Sequence, residues 1–244
     1  MSSSIPRPIR SIGCIVPARN EEGNLESVIQ SIQSLSVVSK VVIVEGGSTD
    51  QTFQKAQKLA LQNPTLIKVI RQQGTGKFDA VLEGVQFLNT DKIVIWDADN
   101  TVKLDDTKRI LEIAASDEYA IVGDRLRGTR ERHSMRAANW LGNWAFAFLW
   151  LPVNSGSAND MLCGTKVFPR EVFTTIPDWM IRRDPFGDFA LVANCYRLNH
   201  NILFYPVHYR ARVYGQTNIR RWKSGFILLT FTLLYYARRV FREI

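Results

Sequence analysis

Four short apolar runs, each closed by a polar or glycine-rich turn and followed by a helical pattern, constrain this chain more than any other feature. Ile12 to Val16 runs into Pro17-Ala18-Arg19-Asn20-Glu21, and then Leu25, Val28, Ile29 and Ile32 recur at helical spacing. Lys40 to Val44 is nearly all β-branched and stops at Glu45-Gly46-Gly47-Ser48-Thr49-Asp50. Leu66 to Ile70 is followed by Gln72-Gln73-Gly74-Thr75-Gly76-Lys77 and a helix through Ala80, Val81, Val85 and Leu88. Ile93 to Trp96 ends at Asp97-Ala98-Asp99-Asn100, and Tyr119 to Val122 makes a fifth strand. Strand and helix alternate with short connections, which predicts an α/β fold: a mainly parallel sheet with helices on both faces. Asn24 is expected to N-cap the first helix, and Ser48 or Thr49 the second.

In open parallel sheets, ligands bind at the carboxyl ends of the strands. Independent solvated loops would rarely place polar or glycine-rich turns at four such ends, whereas one shared nucleotide site explains all four. Asp97 and Asp99 are the sharpest part of the pattern. If the backbone stays extended, both carboxylates point to one side and call for a cation between them. Taken alone, Asp-x-Asp also fits a solvated turn. No G-x-G-x-x-G follows the first strand and no G-x-x-x-x-G-K-[ST] occurs, which excludes the usual dinucleotide and P-loop fingerprints.

The 244 residues suffice for one large α/β domain, and the net charge of +8 is unevenly placed. Arginines accumulate beyond residue 124, which points to an anionic partner. Cys14, Cys163 and Cys195 are far apart and odd in number, fitting a reducing compartment better than a disulfide framework. His133, His200 and His208 show no ligand or triad spacing and read as structural or surface residues.

Pro17-Ala-Arg-Asn-Glu21, Val44-Glu-Gly-Gly-Ser-Thr-Asp50, Gly76-Lys77 and Asp97-Ala-Asp99 together resemble the motif series of family 2 glycosyltransferases with the GT-A fold. Asp160 to Lys166, Asp184-Pro-Phe-Gly-Asp188 and Tyr214-Gly-Gln-Thr-Asn218 extend the likeness, which is strongest to the dolichyl/polyprenyl-phosphate mannosyltransferase-like branch. The resemblance implies a nucleotide-diphosphate sugar donor, a divalent metal (Mg or Mn) and transfer with inversion. It would put Pro17, Ala18, Asn20, Glu21, Glu45 and Gly47 around the nucleoside, with Lys77 on the nucleotide side. Asp97 would lie near the ribose and metal, and Asp99 would be the main metal ligand. Asp160 and Lys166 would lie under the sugar, and Asp188 would face the acceptor. Three positions depart from the commoner pattern: Arg19 replaces Tyr, Gly46 replaces an acid, and Thr101 replaces Gln.

The second half carries the acceptor expectations. Arg125 and Arg127 follow the fifth strand and are candidates to face phosphate; Arg212, Arg220 and Arg221 are candidates to neutralise donor or acceptor phosphate, with Gly215 as a hinge. The implied acceptor is a polyprenyl phosphate or a glycan precursor. A lipid phosphate is already anionic and requires no base, whereas a sugar hydroxyl would make Asp188 the base; Asp188 also fits a structural role in the first turn of a helix. A binding protein that kept the fold without catalysis is the alternative, and nucleic acid is not an expected partner. Trp140 to Val153 is too short to span a bilayer, which takes about 20 residues, and most of its rings are expected to be core. Gly225 to Ala237 is apolar on every face and bounded by Arg238, Arg239 and Arg242, as suits a helix at an anionic membrane surface or a homo-oligomer contact. The expected organisation is a catalytic domain over 1–224, with a donor half at 12–124 and an acceptor half at 125–224, followed by this helix over 225–244. The expected location is cytoplasmic, peripheral at the inner face of the cell membrane.

Overall fold

The computed structural model describes residues 9–132, 134–154, 156–215 and 221–241. Strands β1 (Ile12–Ala18), β2 (Val38–Glu45), β3 (Ile67–Arg71) and β4 (Lys92–Ile95) alternate with helices α1 (Leu25–Gln33), α2 (Thr52–Gln62) and α3 (Lys77–Val85). Then come α4 (Leu104–Ser116), β5 (Ala120–Asp124), α5 (Ala137–Leu149), β6 (Lys166–Pro169), α6 (Arg170–Thr174), α7 (Asp178–Arg183), α8 (Asp188–Arg197), β7 (Ile202–Pro206) and α9 (Arg221–Val240). The strand order is β3-β2-β1-β4-β6-β5-β7. Six strands run one way, and β6 lies antiparallel to both β4 and β5. This is the α/β sheet expected from the sequence, with the fifth strand set one residue later and carried on to Asp124.

Period-2 alternation builds both faces. Cys14, Val16, Val41, Ile43, Val94 and Trp96 join the α1 and α4 side chains in one buried cluster. Ile15, Val42, Val44, Ile93 and Ile95 join those of α3 and α8 in the other. Continuous apolar strands follow, because neither face meets water.

The second cluster also contains one face of α9. Leu228, Phe231 and Tyr235 are buried there beside Trp150 and Phe189. The Trp150 ring lies 4.9 Å from Tyr235 and 5.2 Å from Phe189, and its indole N–H donates to Thr232 Oγ1 at 3.1 Å. A fully buried indole with its polar atom satisfied thus ties α8 and α9 to the end of α5. Among the described residues the helix runs from Arg221, ahead of the apolar run seen in the sequence, and Leu228, Phe231 and Tyr235 form its core stripe. Among the described residues, no helix is long and apolar enough to cross a membrane.

Three local expectations differ from the structure. Asn24 stands at the α1 N-cap, but its side-chain amide donates to Glu21 at 2.6 Å instead of capping. Neither Ser48 nor Thr49 caps α2; Asp50 accepts from the Thr52 backbone N–H and hydroxyl, as an Asx turn does. Of the five α5-region rings, Trp150 is buried and Phe146 packs on Phe189, but Trp140 and Trp144 are half-buried and Phe148 is 58% exposed. These outer rings pack along the helix, Trp140 edge-on to Trp144 and Trp144 tilted on Phe148, rather than filling the core.

Candidate active site

The carboxyl ends of β3, β2, β1 and β4 form one edge, and their loops are laced together. Gly46 N–H donates to Ala18 O, Gln72 N–H to Glu45 O, and Trp96 N–H to Ile15 O, each at 2.9 Å. Asn20 adopts φ 57°. Its amide oxygen accepts from the Thr49 N–H at 2.8 Å, while its own N–H donates to Ser48 Oγ at 3.0 Å. Pro17 and Ala18 supply the end of β1 between these loops. Glu45 is buried and accepts from the Ser48 N–H, while Gly47 takes φ 69° with open space where a side chain would be. Beside them an open recess is lined by Glu45, Gly47, Asp50, Phe53, Arg71 and Gln72, with the Arg71 guanidinium 3.9 Å over the Phe53 ring. Neither Asp97 nor Asp99 lines that recess.

The side chains of Asp97 and Asp99 pair with different cationic residues. The chain turns at Ala98 and Asp99 instead of staying extended, and Asn100 takes φ 52°. Asp97 lies 2.5 Å from Lys77 Nζ. Asp99 lies 2.6 Å from Arg212, whose other terminal nitrogen is 3.0 Å from Glu21. Thr101 donates to Asp99 from its N–H and hydroxyl, fixing the carboxylate from the other side. Burial works against the Asp97 charge, but Lys77, then Lys166 and Arg125, outweigh it and hold its pKa below the ordinary value. Burial pushes Glu21 up; the Asn24 hydrogen bond and the Arg212 charge pull it back, and Asp99 adds to the rise.

Arg212 reaches this edge on a strap after β7. Tyr214 of the strap donates to Glu22 at 3.1 Å, and its ring lies so close to Gly23 that a Cβ there would sit 2.4 Å away. Gly164 plays the same part for Asp97: a Cβ on it would meet Asp97 Oδ2 at 1.5 Å. Nothing in the spacing of the sequence marks either close approach.

On the far side of Asp97, Arg125 grips Asp160 with Nε at 2.5 Å and a terminal nitrogen at 3.0 Å. Lys166, buried at the start of β6, pairs with Asp188 at 2.5 Å. Arg127 is half-exposed and 4.0 Å from Asp124, apart from these pairs. Arg220 and the Arg221 side chain lie outside the described residues. Asp184 is wholly buried and accepts the N–H groups of Phe186, Phe189 and Ala190, so it organises the start of α8. Burial, with the Asp188 charge beside it, raises its pKa to about 6.

Among the described residues, no three Asp, Glu, His or Cys side chains converge as a metal cage would. Asp99 and Glu21 present hard carboxylate oxygens already bridged by a guanidinium. That donor set fits a magnesium- or manganese-type ion that takes its remaining ligands from phosphate and water.

The strand order, the laced strand ends and the paired acids place one polar, charged edge at the carboxyl ends of the parallel strands. The chain belongs to glycosyl transferase family 2, whose model matches residues 14–189. Glycosyltransferase AglJ of Haloferax volcanii is 27% identical over 222 residues, covering 88% of this chain and 69% of that protein. The dolichyl-phosphate hexose transferase of the same organism is 26% identical over 215 residues, covering 88% and 89%. A crystal structure of glucosyl-3-phosphoglycerate synthase from Mycobacterium tuberculosis, with Mn2+, UDP-glucose and phosphoglyceric acid, superposes with a TM-score of 0.67 at 19% identity over 93% of this chain and 79% of that one. It shares the GT-A fold.

Proposed function

We propose that this chain transfers a sugar, with inversion, from a nucleoside-diphosphate sugar to a polyprenyl phosphate. The observation that carries the reading is the Asp99–Arg212–Glu21 bridge at the meeting point of the strand ends, a place that holds positive charge between two carboxylates. The dolichyl-phosphate hexose transferase named above supports the acceptor class.

In this reading the nucleoside lies over Pro17, Ala18, Asn20, Glu45 and Gly47. Asp99 would hold a divalent ion, with Asp97 close by, and such an ion would supply positive charge for the leaving diphosphate. Arg212 gives up Asp99 as the donor binds and turns its planar fork to the diphosphate. Lys77, held by Asp97, lies near Asp99 and Asp188 as well and adds positive charge on the same side. Arg125 and the buried Asp160, locked together, brace the loop beneath the sugar.

The acceptor is anionic at neutral pH, since a phosphate monoester has a second pKa of about 6. Its oxygen attacks the anomeric carbon without a protein base. Asp188 then acts by holding Lys166, a buried ammonium that needs a counter-charge. Asp188 is already committed to that counter-charge, which favours lipid phosphate over a sugar hydroxyl.

Purified protein, given a panel of nucleotide sugars and a polyprenyl phosphate in detergent with magnesium or manganese, tests this by the appearance of sugar in the lipid phase. Asp99→Ala is expected to lose about a thousandfold in kcat/KM with the fold intact. Asp188→Asn is expected to retain the pH profile on lipid phosphate. Transfer by Asp99→Ala at the wild-type rate would sink the donor reading; transfer to a sugar hydroxyl alone would replace the acceptor reading.

A further inference from the structure

We infer that the outward face of α9 is a docking surface for an anionic lipid bilayer. The helix is apolar on two sides, and only one is spent on the core. Trp222 is 85% exposed, Phe226 68%, Leu233 61%, Val240 76% and Phe241 74%, all on the side opposite Leu228, Phe231 and Tyr235. Trp222, Phe226, Leu233 and Val240 follow one another at spacings of four and seven residues, which makes one stripe. At 1.5 Å per residue the helix is about 30 Å long, so the stripe is far longer than scattered surface apolar residues would make.

Charge selects the occupant. From Arg221 to Phe241 the sequence contains no Asp or Glu, while Lys223 is exposed near the start and Arg239, which pairs with the Tyr235 hydroxyl at the flank of the stripe, is exposed near the end. Arg183 is exposed on α7, which packs against α9. A second copy laid face to face would bring these cations together with no acid on α9 to offset them. A membrane surface meets both demands at once: acyl chains take the stripe, and phosphate headgroups take the cations. An indole beside a lysine at the helix start is suited to the same boundary.

The placement links this face to the site. Asp188 opens α8, and the next residue, Phe189, touches Trp150, which also stacks on the buried side of α9. Exposed Phe148 on α5 extends the apolar surface, since α5 and α9 are joined by the Tyr236 hydroxyl donating to Leu149 O at 2.6 Å. This deepens the polyprenyl-phosphate reading, and rests on it for the purpose of docking but not for docking itself.

The test is flotation of the full chain with vesicles of phosphatidylcholine, alone or mixed with phosphatidylglycerol, without donor or acceptor. Binding to the anionic vesicles that weakens as salt rises is expected, with little binding to the neutral ones. Phe226→Glu with Leu233→Glu is expected to lower the bound fraction about tenfold or more, with an unchanged circular dichroism spectrum because both residues are exposed. Lys223→Glu with Arg239→Glu should lose most of the preference for anionic lipid. Equal binding by the stripe variant and the wild type would overturn the inference. So would absence of wild-type flotation, most plainly if light scattering showed a dimer that the stripe variant abolishes. No vesicle contains a polyprenyl phosphate, so failure here leaves the transfer assay in detergent to judge the acceptor reading separately.

Discussion

The two ends of the sheet solve the problem of presenting charge in different ways. On the β3-β2-β1-β4 side, backbone does the work: N–H groups and short side chains stitch one loop to the next, and the acids at the edge stay partly accessible. Asp97 keeps 33% of its side chain exposed and Asp99 12%. On the β6-β5-β7 side, one member of each ion pair is buried outright. Asp160 is wholly buried under Arg125, and Lys166 keeps 1% exposure beneath Asp188. Accessible acids can exchange one cation for another, as a site that admits a charged ligand must. Locked pairs hold shape, because separating them would strand a buried charge. The first region is therefore built to change partners and the second to stay put around an aromatic core.

The contrast can be broken most severely at Trp150. Trp150→Ala should cost about 4 kcal/mol, since it leaves a cavity beneath α9 and removes the indole N–H that donates to Thr232; a matched loss in the denaturant midpoint would measure it. A change of less than about 1 kcal/mol would mean that α9 does not depend on this core.

Asp184 gives the next largest effect, and it follows pH. Its carboxyl titrates near the ordinary 3.8 in the unfolded chain and at about 6 in the fold. Between those values the native state binds more protons, so this contribution to stability is fully present below 3.8 and is lost as pH rises through about 6. The shift of about two units corresponds to about 3 kcal/mol. Asp184→Asn should flatten that part of the stability profile relative to wild type, on top of a pH-independent cost for the lost acceptor geometry. Parallel profiles for the two proteins would refute it.

The smallest effect is expected at Arg212, in the exchangeable region. Arg212→Ala should change stability by about 1 kcal/mol, because the guanidinium keeps 27% exposure. It leaves Glu21 and Asp99 facing each other without their cation. Adding manganese should therefore raise the melting temperature of the variant by about 2 °C more than that of the wild type. An equal rise in both would mean that Arg212 and the ion do not compete.

The same division governs what the sequence discloses. Strands with every residue apolar, turns at their ends and spaced motifs are local, so the sheet, its faces and the edge that carries Asp97 and Asp99 are readable from the chain alone. What stays hidden is pairing across distance. The contact of Arg212 with Asp99 joins residues 113 apart, and a run of arginines does not say which one returns. Gly164 looks like any loop glycine until Asp97 occupies the space its side chain would need. The α5 rings illustrate a third limit: five aromatics in fourteen positions signal burial, but only helix phase and the arrival of α9 decide which of them face water.

The reversed strand β6 has a consequence for how such an enzyme can vary. Because β6 runs against its neighbours, the chain leaves the sheet after Asp124 and re-enters at Lys166 on the same edge. Everything between, α5 included, is an excursion that starts and finishes beside the reacting groups. Loops within residues 125–165 can then change length without rethreading a strand, so long as Arg125, Trp150, Asp160 and Gly164 keep the contacts that tie this excursion to the sheet.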